Sequence, residues 1–280
     1  MLSTSSDRLF VAPPPRPRKV RLFGLDFDPL TQPTLIDRIG ECVRERTRCW
    51  IETVNVSHLC LAARHPELER LFRSADVILA DGMPIVWMSR LRGRALRARV
   101  TGSDLMEPLA RRAAVEGWRI FLCGGEDGVA ERAAARLCEA APGLQIAGTA
   151  APRFPTPGSL TDGSHNRALL AQLRAARADI VLVAFGAPKQ ELWIRHHLET
   201  DALPVPVAIG VGGSLDFIAG QQRRAPPWMR RSGIEWIHRM TTQPRRLGPR
   251  YAADLLTFAQ LAARELLRGD TLDADAGSAP

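Results

Sequence analysis

The sequence predicts an α/β fold built on a mostly parallel sheet, and three observations carry that reading. Short apolar runs alternate with helix-patterned segments from about residue 20 to residue 220. Such alternation marks βαβ units, in which each strand returns parallel to the last. Several runs end in glycine or small polar residues, as strands do when they open onto a crevice. After Gly220 the composition turns to Arg, Trp and Pro, so a separate appendage is expected. The result is a Rossmann-like core flanked by helices, with a C-terminal basic helical appendage.

In chain order, strands are expected at 20–23, 49–55, 77–80, 119–123, 145–149, 180–185 and 205–211. Helices are expected between them, at 34–46, 67–74, 85–91, 104–116, 129–139, 166–176 and 190–198, from their apolar spacing. A further helix covers 251–268, where Tyr251, Leu255, Ala259, Ala262 and Leu266 recur at helical spacing. Residues 1–19 read as a disordered lead-in without the apolar segment of a secretory signal. Residues 20–220 form the core, 221–268 the appendage and 269–280 a disordered tail.

At 280 residues the chain can bury a sizeable core, and 45% apolar with 24% charged residues is ordinary for a globular protein. It contains no apolar run long enough for a transmembrane helix. Cys42, Cys49, Cys60, Cys123 and Cys138 are odd in number and lack a CxxC pair, so neither a disulfide framework nor a zinc site is expected. They read as small core residues in a reducing cytoplasm.

The formal net charge is +8. Residues 221–268 hold ten arginines against two glutamates and one aspartate, a net of +7, so nearly all the excess lies in the appendage. A localised basic segment points to an anionic partner, here an anionic membrane surface. Lysines occur only at 19 and 189, so an arginine-biased composition contributes as well. No RRM, KH, helix-turn-helix or finger pattern occurs, which argues against nucleic acid as the partner.

Polar clusters at the strand ends are the candidate chemistry. Thr53 and Asn55 can hydrogen-bond a sugar or phosphate, although Asn55 is equally suited to cap a helix. Asp81-Gly82 places a carboxylate over the crevice, as a general base or as a cap for the helix starting near Pro84. Gly124-Gly125 lets backbone N–H groups approach a phosphate at a helix start. The spacing is not GxGxxG, so a dinucleotide site is not expected. Lys189, Gln190 and Glu191 fall in a helix's first turn, where a lysine can pair with a phosphate. Gly212, Gly213 and Asp216 bring bare backbone and a carboxylate to the same edge. Arg99 precedes the Thr101–Ser103 helix start and is placed to clamp an anion.

The stretches Thr53-Val54-Asn55, Ala75 through Gly82, Arg99 through Leu105, Phe121 through Gly125, Ala184 through Trp193, Gly210 through Phe217, Arg224-Ala225-Pro226 and Glu235 through Arg239 together resemble the WecG/TagA/CpsF glycosyltransferase family, glycosyltransferase family 26. They occur in family order across most of residues 20–250. The resemblance implies an inverting transferase that moves N-acetylmannosamine, its uronate or glucose from a UDP-sugar to a polyprenyl-diphosphate-linked acceptor. The products would be teichoic acid, common antigen or exopolysaccharide. It further implies no cofactor and no metal, with Asp81 matching the family's base and Thr53, Asn55, Arg99 and Gln190 matching active-site positions. Arg239, Arg245 or Arg250 would reach the diphosphate from the appendage. The site would lie on the cytoplasmic face of the membrane, and self-association is possible.

One departure stands out. Where many relatives carry a Gly-Tyr-Phe-like stretch after the fifth strand, this chain reads Ala150-Ala151-Pro152-Arg153-Phe154, which bears on donor preference. A nicotinamide oxidoreductase, a basic nucleic-acid binder and a non-catalytic membrane adaptor are the competing readings.

Overall fold

The structure, a computed structural model, describes residues 17–267 except 157, 233 and 243; the side chains of 227, 231, 236, 239, 242 and 244–252 also lie outside the described residues. The expected lead-in up to residue 16 and the tail from 268 therefore fall outside them.

The chain begins with a hairpin of β1 (Val20–Leu22) and β2 (Leu25–Phe27), paired antiparallel. Here the structure corrects the sequence reading, which placed 20–23 as one strand among the parallel units. Phe23 and Gly24 take φ of 52° and 83°, the positive values that close a two-residue hairpin turn. Among the described residues, the main sheet has six strands: β3 (Cys49–Val54), β4 (Val77–Ala80), β5 (Arg119–Gly124), β6 (Gln145–Ala150), β7 (Ile180–Ala184) and β8 (Val207–Gly210). Their order is β4-β3-β8-β7-β5-β6, and every pairing is parallel. The α/β class and the parallel sheet are as expected.

Parallel strands stay stable only when both faces are covered, and helices do this here. The first stretch of chain supplies α1 (Gln32–Glu45), α2 (Val56–Arg64), α3 (Pro66–Arg73), α4 (Met83–Leu91) and α5 (Gly102–Glu116). Next come α6 (Val129–Ala140), α7 (Ser159–Asp162), α8 (Ser164–Ala176), α9 (Lys189–Glu199) and α10 (Ser214–Ile218). Alternation along each strand splits the core in two. Ile51, Leu79, Leu122, Leu182 and Ile209 meet α1, α5 and α6 on one face. Trp50, Ile78, Phe121, Val181 and Ala208 meet α2, α3, α8 and α9 on the other. Each fully buried Leu, Ile, Val or Phe side chain among these contributes about 1.5–3 kcal/mol. Helix α2 has no counterpart in the expected elements, because its Val-Ser-His-Leu-Cys-Leu stretch follows β3 with Asn55 alone between them. Four cysteines are buried as expected; Cys138 is exposed on α6, which corrects its reading as core.

Beyond the core lie α11 (Pro227–Arg231), α12 (Glu235–Thr242) and α13 (Pro244–Leu267). Helix α13 docks on α2 and the core beside it through a buried carboxylate together with Phe258, Leu261 and Ala262. Asp254 is buried, accepts from Ser57 Oγ at 2.6 Å and pairs with Arg64 at 3.2 Å. Glu265 accepts from the Phe23 backbone N–H at 3.1 Å, and Phe258 packs on Phe23. Of the expected apolar stripe, Leu255, Ala259 and Leu266 face outward.

On α9, His197 donates from Nε2 to Asn166 Oδ1 at 2.9 Å, and the same oxygen accepts from Trp193 Nε1 at 2.8 Å. Burial, helped by the neighbouring His196, pushes the His197 imidazole down to about 4 from an ordinary 6.5. The unfolded chain therefore takes up the proton first, and stability falls as the pH is lowered from about 6.5 through about 4, by at most about 1.4 kcal/mol per pH unit. Urea melts across that interval should show the slope, and His197→Gln should flatten it.

Candidate functional site

All six parallel strands direct their carboxyl ends to one edge, so residues far apart in sequence meet there. The Asp81 backbone N–H donates to Val54 O at 2.8 Å, which sets the end of β4 beside the end of β3. Val100 N–H donates to Ala80 O at 3.0 Å and brings the Arg99–Thr101 segment against β4. Asp81 is partly exposed, and the N-cap residue of the helix behind it is Gly82 (φ 156°). Asn55 does cap: its Oδ1 accepts the His58 backbone N–H at 3.2 Å at the start of α2. Thr101 Oγ1 caps α5 in the same way.

Beneath this edge lies a buried polar trio, of which the sequence reading named only Glu191. Glu52 of β3, His58 of α2 and Glu191 of α9 are all buried, with His58 Nε2 at 3.1 Å from Glu191 Oε1 and 3.7 Å from Glu52 Oε1. Trp50 Nε1 donates to Glu52 Oε2 at 3.3 Å. Gln190 Nε2 donates to Glu191 Oε1 at 3.0 Å, while Gln190 Oε1 accepts from the Gly212 N–H at 3.1 Å. Thr53 Oγ1 donates to Gly210 O at 3.1 Å. Thr53, Gln190 and Glu191 thus lie under the crevice floor, fastened to the protein. Burial, then the charge of Glu191, pushes the Glu52 carboxyl well above the usual carboxylate range. Glu52 Oε1 and Glu191 Oε2 have no hydrogen-bond partner. One oxygen or nitrogen from each of the three lies within 4.8 Å of the others, so among the described residues this trio could also embrace a small cation.

A second cluster surrounds Asp104 in the first turn of α5. Arg99 reaches Asp104 at 2.9 Å and Glu235 at 3.5 Å. Arg224 reaches the same two carboxylates at 2.8 and 3.7 Å, and Arg230 reaches Asp104 at 3.5 Å. Burial opposes ionisation of Asp104, yet Arg224, Thr101 and Arg99 hold it below the usual carboxylate range. Among the described residues, three guanidinium groups share two carboxylates, an excess of one positive charge. Arg224, Arg230 and Glu235 come from the segment read as an appendage, and they fasten it to the core. Arg239, Arg245 and Arg250 belong to α12 and α13, and their side chains lie outside the described residues.

At the other end of the edge, a cleft of about 280 Å³ is lined by Gly124, Gly125, Phe154, Phe185, Lys189, Asp216 and neighbours. Gly124 (φ 118°) could not carry a side chain, because a Cβ would collide with the Ala184 carbonyl. The glycine therefore lets β5 and β7 close up while the loop stays open to a ligand. Lys189 and Asp216, both named from sequence, meet here, and Gly212 and Gly213 form the turn between this cleft and the buried trio. Phe154, from the divergent 150–154 stretch, packs on Phe185 at 5.0 Å and walls the cleft.

Sequence reasoning missed Glu52, His58, Arg224 and Arg230. Glu52 had a signal: a carboxylate in the middle of Cys-Trp-Ile-Glu-Thr-Val, where a parallel strand should be apolar throughout. The trio leaves no room above Gly210, whose added Cβ would sit 2.5 Å from Glu52 Oε2 and 2.8 Å from Gln190 Nε2. Gly210→Ala should therefore cost about 1–3 kcal/mol from overpacking, read as a lowered melting temperature in a thermal scan.

The chain matches the model of the glycosyl transferase WecG/TagA/CpsF family over residues 20–271. It is 32% identical over 217 residues to an N-acetylglucosaminyldiphosphoundecaprenol N-acetyl-beta-D-mannosaminyltransferase of Bacillus spizizenii, covering 76% of this chain and 80% of the relative. The match spans nearly all of the described chain, including the strand ends that build the crevice and the segment that carries Arg224 and Glu235. This chain belongs to the WecG/TagA/CpsF family of glycosyl transferases.

Proposed function

We propose that this chain transfers a hexose-class sugar, N-acetylmannosamine in the first instance, from a UDP-sugar to a polyprenyl-diphosphate-linked sugar with inversion at the anomeric carbon. The observation that carries the reading is the arrangement of the crevice: a carboxylate at Asp81, glycine backbone at Gly124-Gly125 and a surplus of arginine at Arg99 share one sheet edge. The name of the Bacillus relative gives the sugar and the lipid-linked acceptor.

In this mechanism Asp81 takes the proton of the acceptor hydroxyl as its oxygen attacks the anomeric carbon. The bond to the UDP oxygen breaks on the opposite face, so a single displacement inverts the centre and requires no enzyme nucleophile. Charge gathers on the leaving diphosphate. Lys189 and the glycine backbone N–H groups face it from the cleft side, and Arg99 and Arg224 can turn to it from Asp104. Arginine thus fills the role that a metal ion would otherwise take. Asn55 orients the acceptor sugar, and Thr53 and Gln190 hold the floor from below.

Among the described residues no helix is long and apolar enough to cross a membrane. The proposed contact with the lipid acceptor is peripheral, at the cytoplasmic face. It uses the basic 221–268 segment and the outward side of α13, where Leu255, Leu256 and Leu267 are 61, 71 and 85% exposed. Leucines over a basic segment suit a surface of anionic headgroups.

With a panel of UDP-sugars and a short-chain lipid-diphosphate-sugar acceptor, the protein should release UDP only when acceptor is present. Asp81→Asn should lower kcat by roughly 100-fold or more while UDP affinity holds. Donor hydrolysis indifferent to acceptor and to Asp81 would remove this assignment. Binding to phosphatidylglycerol vesicles should weaken with added salt and drop in a Leu255→Glu, Leu256→Glu double variant, as sedimentation would show.

A further inference from the structure

The transferase reading uses Asp81, the arginines and the glycine loops, but it gives no task to the most deeply buried charges in the core. Glu52 and Glu191 are fully buried. Both lie close to one histidine nitrogen, at 3.7 and 3.1 Å. Two ionised carboxylates in that space would repel each other with no solvent to screen them. Their hydrogen-bond partners differ. Glu191 Oε1 receives Gln190 Nε2 at 3.0 Å and faces His58 Nε2 at 3.1 Å. The one side-chain donor to Glu52 is Trp50 Nε1, at 3.3 Å on Oε2, and each glutamate keeps one oxygen, Glu52 Oε1 and Glu191 Oε2, without a hydrogen-bond partner. The nearer histidine nitrogen and the shorter side-chain donor are both on Glu191, and such contacts favour the ionised form, so the charge belongs on Glu191 and the proton on Glu52.

The far side of His58 meets Asn55, at the carboxyl end of β3. Its Nδ1 lies 2.9 Å from Asn55 Oδ1 and 3.3 Å from the Asn55 backbone N. Its ring packs edge-on against Phe72 of α3, which fixes its plane. Glu191 reaches the crevice by a second route, through Gln190 to the Gly212 N–H. One buried carboxylate is therefore tied to both Asn55 and the β8 turn.

We propose that Glu52, His58 and Glu191 form a proton-sharing trio, with Glu52 a neutral acid and Glu191 an anion, that acts as a set of positioning residues for sugar transfer by holding Asn55 and the Gln190–Gly212 pair in register. The kinetic part rests on the transferase reading above; the protonation part does not. A divalent cation is the competing occupant of the same three atoms, and it would require both glutamates as anions.

Infrared difference spectroscopy on the folded protein at neutral pH reads the proton directly. Wild type should show an isotope-sensitive band of a protonated, buried carboxyl group, and Glu52→Gln, which replaces a neutral acid with a neutral amide of the same shape, should lose it and remain folded. In the transfer assay, Glu191→Gln should lower kcat by roughly 10- to 100-fold, with UDP affinity within about threefold of wild type. Glu52→Gln should cost distinctly less. A purely structural role would lower the melting temperature of Glu191→Gln without this split between turnover and UDP affinity. The proposal is overturned if wild type lacks the band, if the two substitutions cost the same, or if purified wild type carries one equivalent of a divalent metal that either substitution removes. Should wild type transfer no sugar from any donor, the reading of the reaction fails while the infrared band still decides the state of the trio.

Discussion

Burying two glutamates at the carboxyl end of a parallel sheet is the constraint on which the crevice is built. Neither Glu52 nor Glu191 can reach solvent, so each must be neutralised or satisfied in place. Glu191 does this with Gln190 and His58, and those partners are themselves committed, to Gly212 and Asn55. The floor of the crevice is therefore an interlinked network, with one oxygen of each glutamate left without a hydrogen-bond partner, and Gly210 must be glycine because Glu52 and Gln190 fill the space above its Cα. A transferase with one displacement step gains from such a floor, because small errors in placing acceptor and donor cost large factors in rate.

The rim is arranged differently. Arg99, Arg224 and Arg230 are held by Asp104 and Glu235, which are acidic enough to fix the guanidiniums but too few to neutralise them. An arriving diphosphate can compete for the surplus charge without breaking the fold. Two of the three arginines and Glu235 lie beyond Gly220, so the basic segment completes this cluster. Helix α13 is pinned to α2 through Asp254, and the cap of α2 is Asn55. The outer helix α13 and the strand-end residue Asn55 thus share one helix, α2.

Much of this was legible in the sequence, and the parts that were not share a cause. The strands of the sheet could be read because β3, β4, β7 and β8 are buried end to end and so read as apolar runs. Asp81, Asn55, Gly124 and Gly212 could be placed because strand ends of a parallel sheet converge. The hairpin at 20–27 was missed because its turn is made by Phe23 and Gly24, where only the glycine signals a reversal. Helix α2 was missed because a single residue separates it from β3. Thr53, Gln190 and Glu191 were found as positions but not as buried ones, since sequence alone does not tell a residue that faces a ligand from one that supports it. Glu52 and His58 were missed because their role exists only once β3, α2 and α9 come together. The expected apolar stripe of α13 divides: Ala262 packs on the core while Leu255, Ala259 and Leu266 face outward, and Asp254 and Glu265 add charge and backbone contacts to the core.

The most direct test of the account is a crystal structure with UDP bound. The account predicts the diphosphate at the carboxyl edge of the sheet, within hydrogen-bonding distance of the Gly124-Gly125 backbone on one side, with Arg99 or Arg224 released from Asp104 to meet it on the other. Asp81 should face the space left for the sugar. UDP bound away from that edge, or bound there with the arginines still fully engaged by Asp104 and Glu235, would contradict it.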